Sequence, residues 1–379
     1  MGNIVTYAEN TLTRIKDSEF TPVDSLILSW ISYFNFPSEI PALYSFEGIR
    51  FAELFRAEYF AELFRDNWNS ESSRRLFTAM AASPRFRDIR VMGFTERREA
   101  LTEKQFAAIS FQINDDLAYV AFRGTDATLI GWKEDFNMAF QYPVPSQVDA
   151  AQYLEHAASN LTGELRVGGH SKGGNLAVYA AAAQSDSIKQ RITRVYSHDG
   201  PGFIESVLES DEFMSIASKI DKTVPQSSLI GMLLEQQENY RIVKSTGFSI
   251  WQHDPLSWVV ENGAFLPISE LTSNARYLDR TLNQWVSSMS REDRERFVDL
   301  LFSLIDTDNI TTTSELTSDW QRNLQSAART ASGMDGDAKE FLGKTVASLV
   351  GMIIRNFPEL WHSKRNVTAH AELPSDSDR

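Results

Sequence analysis

The stretch GGHSKGGN at residues 168–175 decides the fold class, because it crowds four glycines and a serine between an apolar run and an alanine-rich run. Gly169, Ser171 and Gly173 fit the pattern G-x-S-x-G. ELRV before them is typical of a strand, and NLAVYAAAAQ after them is typical of a helix. Strand, tight turn and helix together are the setting of a nucleophile elbow, which lifts a serine hydroxyl out for attack. A plain strand-to-helix turn, with or without a bound phosphate, is the alternative interpretation.

The surrounding residues predict an α/β protein with a mostly parallel central sheet and helices on both faces. Short β-rich runs occur at 86–94, 105–113, 117–124, 164–169, 191–199 and 238–245. Helical runs separate the later ones, at 131–140, 148–161 and 175–184. Strands that alternate with helices favour parallel pairing, since each crossover then covers one face of the sheet. We therefore expect an α/β-hydrolase core at residues 86–265.

Helical additions are predicted on both sides of this core. Residues 1–85 read as a helical extension packed on the core, and the repeated FAELFR within 51–65 predicts an amphipathic helix there. Residues 266–365 read as a helical C-terminal region, and 366–379 as a disordered tail. The sequence does not decide whether these helices form a lid, a cap or a dimer surface.

Composition excludes several function classes. The 379 residues contain no cysteine, which excludes a disulfide scaffold, a thiolate metal site and a cysteine nucleophile. The formal net charge of −14 argues against nucleic-acid binding, which requires a basic surface. No secretory signal is recognisable, and the apolar run at 346–354 is about half the length that crosses a bilayer. We expect a soluble, cytoplasmic protein.

A serine nucleophile requires a histidine base, and His253 is the candidate. It lies in SIWQHDPLSW (249–258), after a strand-like run and between two tryptophans. An apolar surround favours the neutral imidazole that a general base needs near pH 7. The alternative is a structural histidine held by Asp254, although the adjacent position makes Asp254 a poor partner for the other ring nitrogen.

Asp199 is the leading candidate for the acid that orients the base. It ends an apolar run and precedes a Gly-Pro-Gly turn in YSHDGPGF (196–203), which places it in a loop at the same edge of the sheet. Asp221, in KIDKTVPQSS, is the reserve candidate. An aspartate before glycine also commonly caps a turn, which is the structural alternative for Asp199.

The oxyanion hole requires backbone N–H donors beside the serine. The N–H of Lys172 is one candidate, because it follows the nucleophile directly. The N–H of Thr125, in the loop YVAFRGTDATLIGW (119–132), is the other. The side chain of Lys172 is unusual at this position, and either meets a negative group of the substrate or lies along the helix in a salt bridge.

The motifs resemble those of the class 3 lipases. FRGTD followed by GWKEDF resembles their oxyanion loop, and GGHSKGG resembles their elbow GHSLGG with lysine in place of leucine. The wider set, which adds SPRFRDI, DGPGF, VPQSSLIGMLL and QHDPLSW, resembles a bacterial family of lipase-like α/β-hydrolases of unknown function, over roughly residues 20–300. The resemblance implies the α/β-hydrolase fold and a serine-hydrolase site. In class 3 lipases the acid usually lies in a D-x-V-P type motif, which DKTVP at Asp221 resembles.

These observations predict a serine hydrolase that cleaves a carboxylic ester, of a lipid or of an acylated metabolite, through an acyl-enzyme on Ser171. Such chemistry requires no metal and no organic cofactor. Two alternatives stay open. One is an α/β-hydrolase fold that binds a ligand or a protein without catalysis. The other is a thioesterase or peptidase that uses the same triad.

Overall fold

The computed structural model describes residues 2–65, 69–99, 104–125, 137–138, 141–228, 230–234, 240–247, 249–305 and 333–348. The tail predicted at 366–379 and most of the helix predicted at 131–140 lie outside these ranges.

A central sheet of eight strands organises the fold, with the strands side by side in chain order. The first four strands pair antiparallel, and β4 to β8 pair parallel. A short hairpin of two further strands stands apart from this sheet. The strands are β1 Ile49–Arg50, β2 Arg90–Glu99, β3 Lys104–Asn114, β4 Leu117–Phe122, β5 Glu164–His170, β6 Ile192–His198, β7 Ile220–Pro225, β8 Tyr240–Val243, β9 Val260–Glu261 and β10 Ala264–Phe265.

Helices precede, connect and follow the strands. Several begin with a recognisable cap: Thr21 and Asp24 form a capping box at the start of α2, and Thr272 caps α11. The helices are α1 Ile4–Asn10, α2 Pro22–Ile31, α3 Pro41–Tyr44, α4 Phe60–Leu63, α5 Ser70–Ala82, α6 Pro145–Asn160, α7 Lys172–Ala182, α8 Asp186–Arg191, α9 Glu205–Leu208, α10 Asp211–Met214, α11 Ser273–Ser287 and α12 Arg291–Ile305.

Helices cover both faces of the sheet, as predicted, and the burial of β4 illustrates this. Its side chains are nearly all buried, and they alternate between two separate hydrophobic clusters. Tyr119 and Ala121 pack in the cluster that contains α1, α2 and α5, whereas Val120 and Phe122 pack in the cluster that contains α6 and α7. A strand buried on both faces has no polar side, which explains its nearly continuous apolar sequence. The prediction of an α/β-hydrolase fold is confirmed.

Two local predictions differ from the structure. The FAELFR repeat does not form one helix; it forms two 3₁₀ turns, Phe51–Leu54 and Ala57–Tyr59, and the single turn of α4. The backbone leaves helical angles between the two copies, at Phe55 (ψ 71°) and Arg56 (φ −130°, ψ 130°). The second difference is β7, whose sequence IDKTVP is too short and too charged to predict a strand by pattern.

Candidate active site

Ser171 occupies a sharp turn between β5 and α7. Its backbone angles, φ 59° and ψ −136°, are unfavourable for a residue with a side chain, as a nucleophile elbow requires. A Cβ on Gly169 would lie 2.2 Å from the carbonyl carbon of Gly173, and one on Gly173 would lie 2.1 Å from the carbonyl oxygen of Phe122. A side chain at either position would clash with neighbouring backbone, so both positions require glycine. A plain strand-to-helix turn does not have this requirement.

His253 and Asp199 form a hydrogen-bonded pair. His253 Nδ1 lies 2.6 Å from Asp199 Oδ2. Because a carboxylate oxygen accepts, Nδ1 carries the proton, and Nε2 is left with the lone pair that a general base needs. His253 is half-buried, whereas Asp199 is fully buried directly after β6, with a positive φ of 51°. The carboxylate of Asp199 is thus shielded from water, whereas the imidazole of His253 is partly accessible.

The second oxygen of Asp199 is also bonded. Ser228 Oγ donates to Asp199 Oδ1 in a short hydrogen bond, and the Gly231 N–H donates to Ser228 Oγ at 3.0 Å. The main-chain N–H of Asp199 donates to the Thr223 carbonyl at 2.8 Å. The carboxylate is therefore fixed on both sides, which sets the plane in which it can meet the imidazole.

Asp254 does not take the place of Asp199. Its carboxylate accepts from the Leu256 N–H at 2.9 Å and so caps the following 3₁₀ turn. Burial raises the pKa of Asp254. Its contacts are those of a structural turn residue, and they leave the imidazole of His253 to Asp199.

The structure brings Ser171 and His253 to the same edge of the sheet. The ring of His170, the residue before Ser171, lies 4.6 Å from the ring of His253. The Ser171 N–H donates to the carbonyl of His198, the residue before Asp199, at 2.9 Å. Within the described residues the Ser171 hydroxyl makes no hydrogen bond, which is common for a nucleophile before substrate binds.

Asp221 lies away from this group. It is the second residue of β7 and pairs with Tyr196 in β6, two positions before the end of that strand. Its carboxylate forms a short ion pair with Arg241. The register of β7 against β6 and β5 places Asp221 level with Tyr196 and Gly168, three positions before Ser171 along the strand direction. The structure does not bring the reserve acid to His253.

The two expected oxyanion donors flank the elbow. Lys172 is the first residue of α7, where a helix leaves its N–H groups without helical partners. Thr125 is half-buried and follows Gly124, where an added Cβ would lie 2.8 Å from Ser171 Cβ. The loop after β4 therefore passes directly beside the serine, as an oxyanion loop must.

The side chain of Lys172 is buried. Its Nζ donates to the carbonyl of Gln105 in β3 at 3.0 Å. Gln105 lies beyond the end of β4, in the part of the β2–β3 hairpin that extends past the edge of the parallel strands. The ammonium thus ties the elbow to this hairpin.

Residues that sequence reasoning missed complete the site. Ser228 bonds the acid, and the hydroxyl of Tyr33 contacts His170 and Gly124. Asn175 Nδ2 donates to the carbonyl of Gly202 at 2.8 Å and so ties α7 to the loop after Asp199. Serine, tyrosine and asparagine occur throughout the chain, and no spacing distinguishes these three. Asn175 differs only in that it directly follows the glycines of the elbow.

Residues 80–303, more than half of the chain, match the sequence model of a family described as Mbeg1-like. The chain belongs to the Mbeg1-like family. This is a lipase-like family, so the prediction of a lipase-like relationship from the motifs is confirmed and a hydrolase-like function is supported. The matched range contains all six residues predicted for the site.

This Mbeg1-like chain also has a distant similarity to a solved structure. Among solved structures, it is similar to the crystal structure of M37 lipase, with 14% identity and a TM-score of 0.36. The similarity covers 57% of this chain and 70% of that one. A search of curated proteins finds no match.

An exposed aromatic residue precedes His253 in the Mbeg1-like chain, and a cavity lies elsewhere on the molecule. Trp251, two residues before His253, is 57% exposed. A cavity of about 700 Å³ lies along β2 and α6, but its lining includes none of Ser171, Asp199 and His253.

Among the residues described, no helix has the length and apolar character to span a bilayer, and no three His, Asp or Glu side chains are grouped to hold a metal ion.

Proposed function

We propose that this Mbeg1-like protein is a serine hydrolase that cleaves carboxylic esters through an acyl-enzyme. The observation that carries the proposal is the pairing of His253 with the buried Asp199, at the sheet edge where Ser171 occupies a strained elbow. A structural turn requires no strained serine beside an oriented imidazole. This combination supports catalysis over ligand binding alone.

In the proposed reaction, the Ser171 oxygen attacks the carbonyl carbon of the ester and forms a tetrahedral intermediate. His253 Nε2 takes the hydroxyl proton. Asp199, which accepts the Nδ1 proton, stabilises the imidazolium that results. The N–H groups of Thr125 and Lys172 donate to the developing oxyanion. When the carbon–oxygen bond breaks, His253 gives its proton to the leaving alcohol.

Water completes the cycle. His253, neutral again, takes a proton from a water molecule that attacks the acyl carbon on Ser171. A second tetrahedral intermediate collapses, the bond to Ser171 breaks, and the proton returns to its oxygen. The free acid leaves and the enzyme is restored, so atoms and protons balance over one turnover.

The test is covalent labelling together with turnover. We expect a fluorophosphonate probe to label Ser171, with peptide mass spectrometry locating the adduct, and p-nitrophenyl esters to be hydrolysed. Ser171→Ala should lose both activities. Ser185→Ala, at an exposed serine that precedes α8, is the matched control and should keep both. Wild-type protein that neither reacts with the probe nor turns over an ester contradicts the proposal.

The substrate class is resolved in the same assay. Oxygen esters of short and long acyl chains, matching thioesters and peptide p-nitroanilides are compared by kcat/KM. We expect the oxygen esters to give the highest values. A higher value for thioesters or anilides would keep the triad and replace the ester assignment.

A further inference from the structure

Two side chains outside the predicted triad connect the turn at Ser171, the loop at Gly124 and the segment that carries His253. Tyr33 follows α2 in the N-terminal region, and its hydroxyl accepts from the Gly124 N–H at 3.1 Å. The same hydroxyl lies 3.2 Å from His170 Nδ1 and 3.2 Å from the His170 carbonyl oxygen. His170 Nε2 lies 2.8 Å from the main-chain carbonyl of His253.

The chemistry of these groups assigns most of the protons. A carbonyl oxygen only accepts, so His170 Nε2 carries a hydrogen and donates to His253. Burial and the neighbouring His253 hold the pKa of His170 well below its usual value, so the ring is neutral and Nδ1 is an acceptor. Tyr33 accepts from Gly124, and its single hydroxyl proton is within reach of two acceptors on His170, Nδ1 and the carbonyl oxygen.

We propose that Tyr33 and His170 are positioning residues that hold the Gly124–Thr125 loop and the His253 main chain in register with Ser171. This inference rests on the proposed function, since it assigns these two side chains to the same site. We refer to the pair as the Tyr33–His170 relay.

The relay fixes the base at a second point. Asp199 holds the imidazole of His253 through Nδ1, and His170 holds its main-chain carbonyl, so the ring cannot tilt without breaking one of the two bonds. The rings of His170 and His253 lie only 4.6 Å apart. A neutral His170 therefore places no second positive charge beside the imidazolium that forms during the reaction.

The relay also fixes the oxyanion loop. The Gly124 N–H donates to the Tyr33 hydroxyl, which fixes the Arg123–Gly124 peptide one residue before Thr125. The fit is close: a Cβ on Gly124 would lie 2.3 Å from the Tyr33 hydroxyl and 2.5 Å from the His170 carbonyl oxygen. A displacement of about 1 Å in such a group costs on the order of a hundredfold in rate.

Tyr33 gives the N-terminal region a role inside the site. The preceding Trp30 packs edge-on against the His170 ring, with the ring centres 6.1 Å apart. The helices before residue 85 thus contribute side chains to the predicted catalytic machinery, in addition to covering one face of the sheet. The relay is assembled only when this region is docked.

The test uses Tyr33→Phe and His170→Gln in the full-length protein. Tyr33→Phe removes the hydroxyl with little change in shape. Glutamine at 170 keeps a donor near the Nε2 position and loses the acceptor for Tyr33. We expect each variant to lower kcat for a p-nitrophenyl ester about tenfold, with KM within about twofold of wild type. The double variant should be no slower than either single one, because both remove the same hydrogen bond.

Tyr44→Phe is the matched control. Its hydroxyl also bonds to a backbone carbonyl, that of Phe36 at 2.8 Å, away from Ser171, so the kcat of this variant should equal that of wild type. Rates are expressed per active site titrated with fluorophosphonate. A purely structural role would lower the titratable fraction and the melting temperature but would leave kcat per site unchanged. That result, or a kcat of Tyr33→Phe within twofold of wild type, overturns the relay.

A second measurement does not depend on turnover. Imidazole ¹H–¹⁵N correlation spectra of the wild-type protein at pH 7 should show His170 as the Nε2–H tautomer, and a protonated or Nδ1–H ring overturns the relay. If the wild-type protein is active and the variants have the same kcat, the relay is contradicted and the proposed function stands. Wild type without labelling or turnover removes the proposed function, and the positioning role with it.

Discussion

Replacement of Asp199 by asparagine is the sharpest test of the predicted acid. Asp199 accepts from His253 Nδ1 at 2.6 Å and from Ser228 Oγ on its other oxygen, and it is fully buried. Asparagine keeps the shape and can still bond to Ser228. It removes the negative charge that stabilises the imidazolium, and its amide can present N–H groups to a nitrogen that must remain a donor.

The magnitude follows from the geometry. A hydrogen bond of 2.6 Å between ring nitrogen and carboxylate oxygen places the two charge centres roughly 4 Å apart. Two unit charges at that distance interact by about 4 kcal/mol at an effective dielectric constant of about 20. Since about 1.36 kcal/mol is tenfold in rate, loss of the charge alone lowers kcat by about a thousandfold. An unfavourable ring tautomer adds to this loss.

The assay compares kcat for a p-nitrophenyl ester in wild type, Asp199→Asn and Asp221→Asn. Asp221 is the matched control, because its carboxylate pairs with Arg241 at the start of β7 and not with His253. We expect Asp221→Asn to retain kcat within about threefold. The reasoning is refuted if Asp199→Asn keeps more than about a tenth of the wild-type kcat, or if Asp221→Asn loses as much as Asp199→Asn.

Three further predictions concern stability. Gly173→Ala should destabilise the fold by about 3 kcal/mol and abolish activity, because the new Cβ would lie 2.1 Å from the Phe122 carbonyl oxygen; urea unfolding measures this. Asp24→Asn should cost about 3 kcal/mol or more, because it leaves the charge of the buried Arg85 without its carboxylate partner. Burial lowers the pKa of His198 to about 3, whereas the unfolded chain takes up that proton near pH 6.5. The free energy of unfolding therefore decreases as the pH falls below about 6.5. His198→Gln should reduce the loss of stability between pH 7 and 5 by about 2 kcal/mol.

Each has a matched control. Gly343→Ala, in a helical segment where an added Cβ meets nothing within 4 Å, should leave stability unchanged or slightly raised. Asp17→Asn, in an exposed pair with Arg14, should cost at most about 1 kcal/mol. His156→Gln, at an exposed histidine, should leave the pH dependence as in wild type. Equal effects in a variant and its control would contradict the corresponding prediction.

Much of the fold was readable from the chain because its signals are local. The run LAYVAF predicts a strand buried on both faces, and β4 is such a strand. The alanine-rich run after Ser171 predicts a helix, and α7 begins at Lys172. By contrast, the FAELFR repeat predicted one helix and forms turns instead, because the backbone leaves helical angles at Phe55 and Arg56 and so brings rings of both copies against Phe77. Tertiary packing overrode helical propensity there.

Some residues of the candidate site were likewise identifiable from the sequence, whereas others required the structure. Ser171 and its glycines were identifiable because a strained turn requires small residues at fixed spacing. The sequence left Asp199 and Asp221 both open: Asp199 ends an apolar run before a Gly-Pro-Gly turn, and the motif at Asp221 resembles the D-x-V-P motif of class 3 lipases. The structure separates them: Asp199 directly follows β6 and bonds to His253, whereas Asp221 is the second residue of β7 and bonds to Arg241.

The sequence by itself determined the fold class, the strained serine turn and the short choice of partners, because these depend on residue types at fixed spacing along the chain. Only the tertiary structure decided which aspartate meets His253, that Ser228 supports it, and that Tyr33 reaches His170 across 137 positions. Those contacts depend on the register of parallel strands and the docking of α2. Both are set by burial over the whole sheet, which no local pattern records.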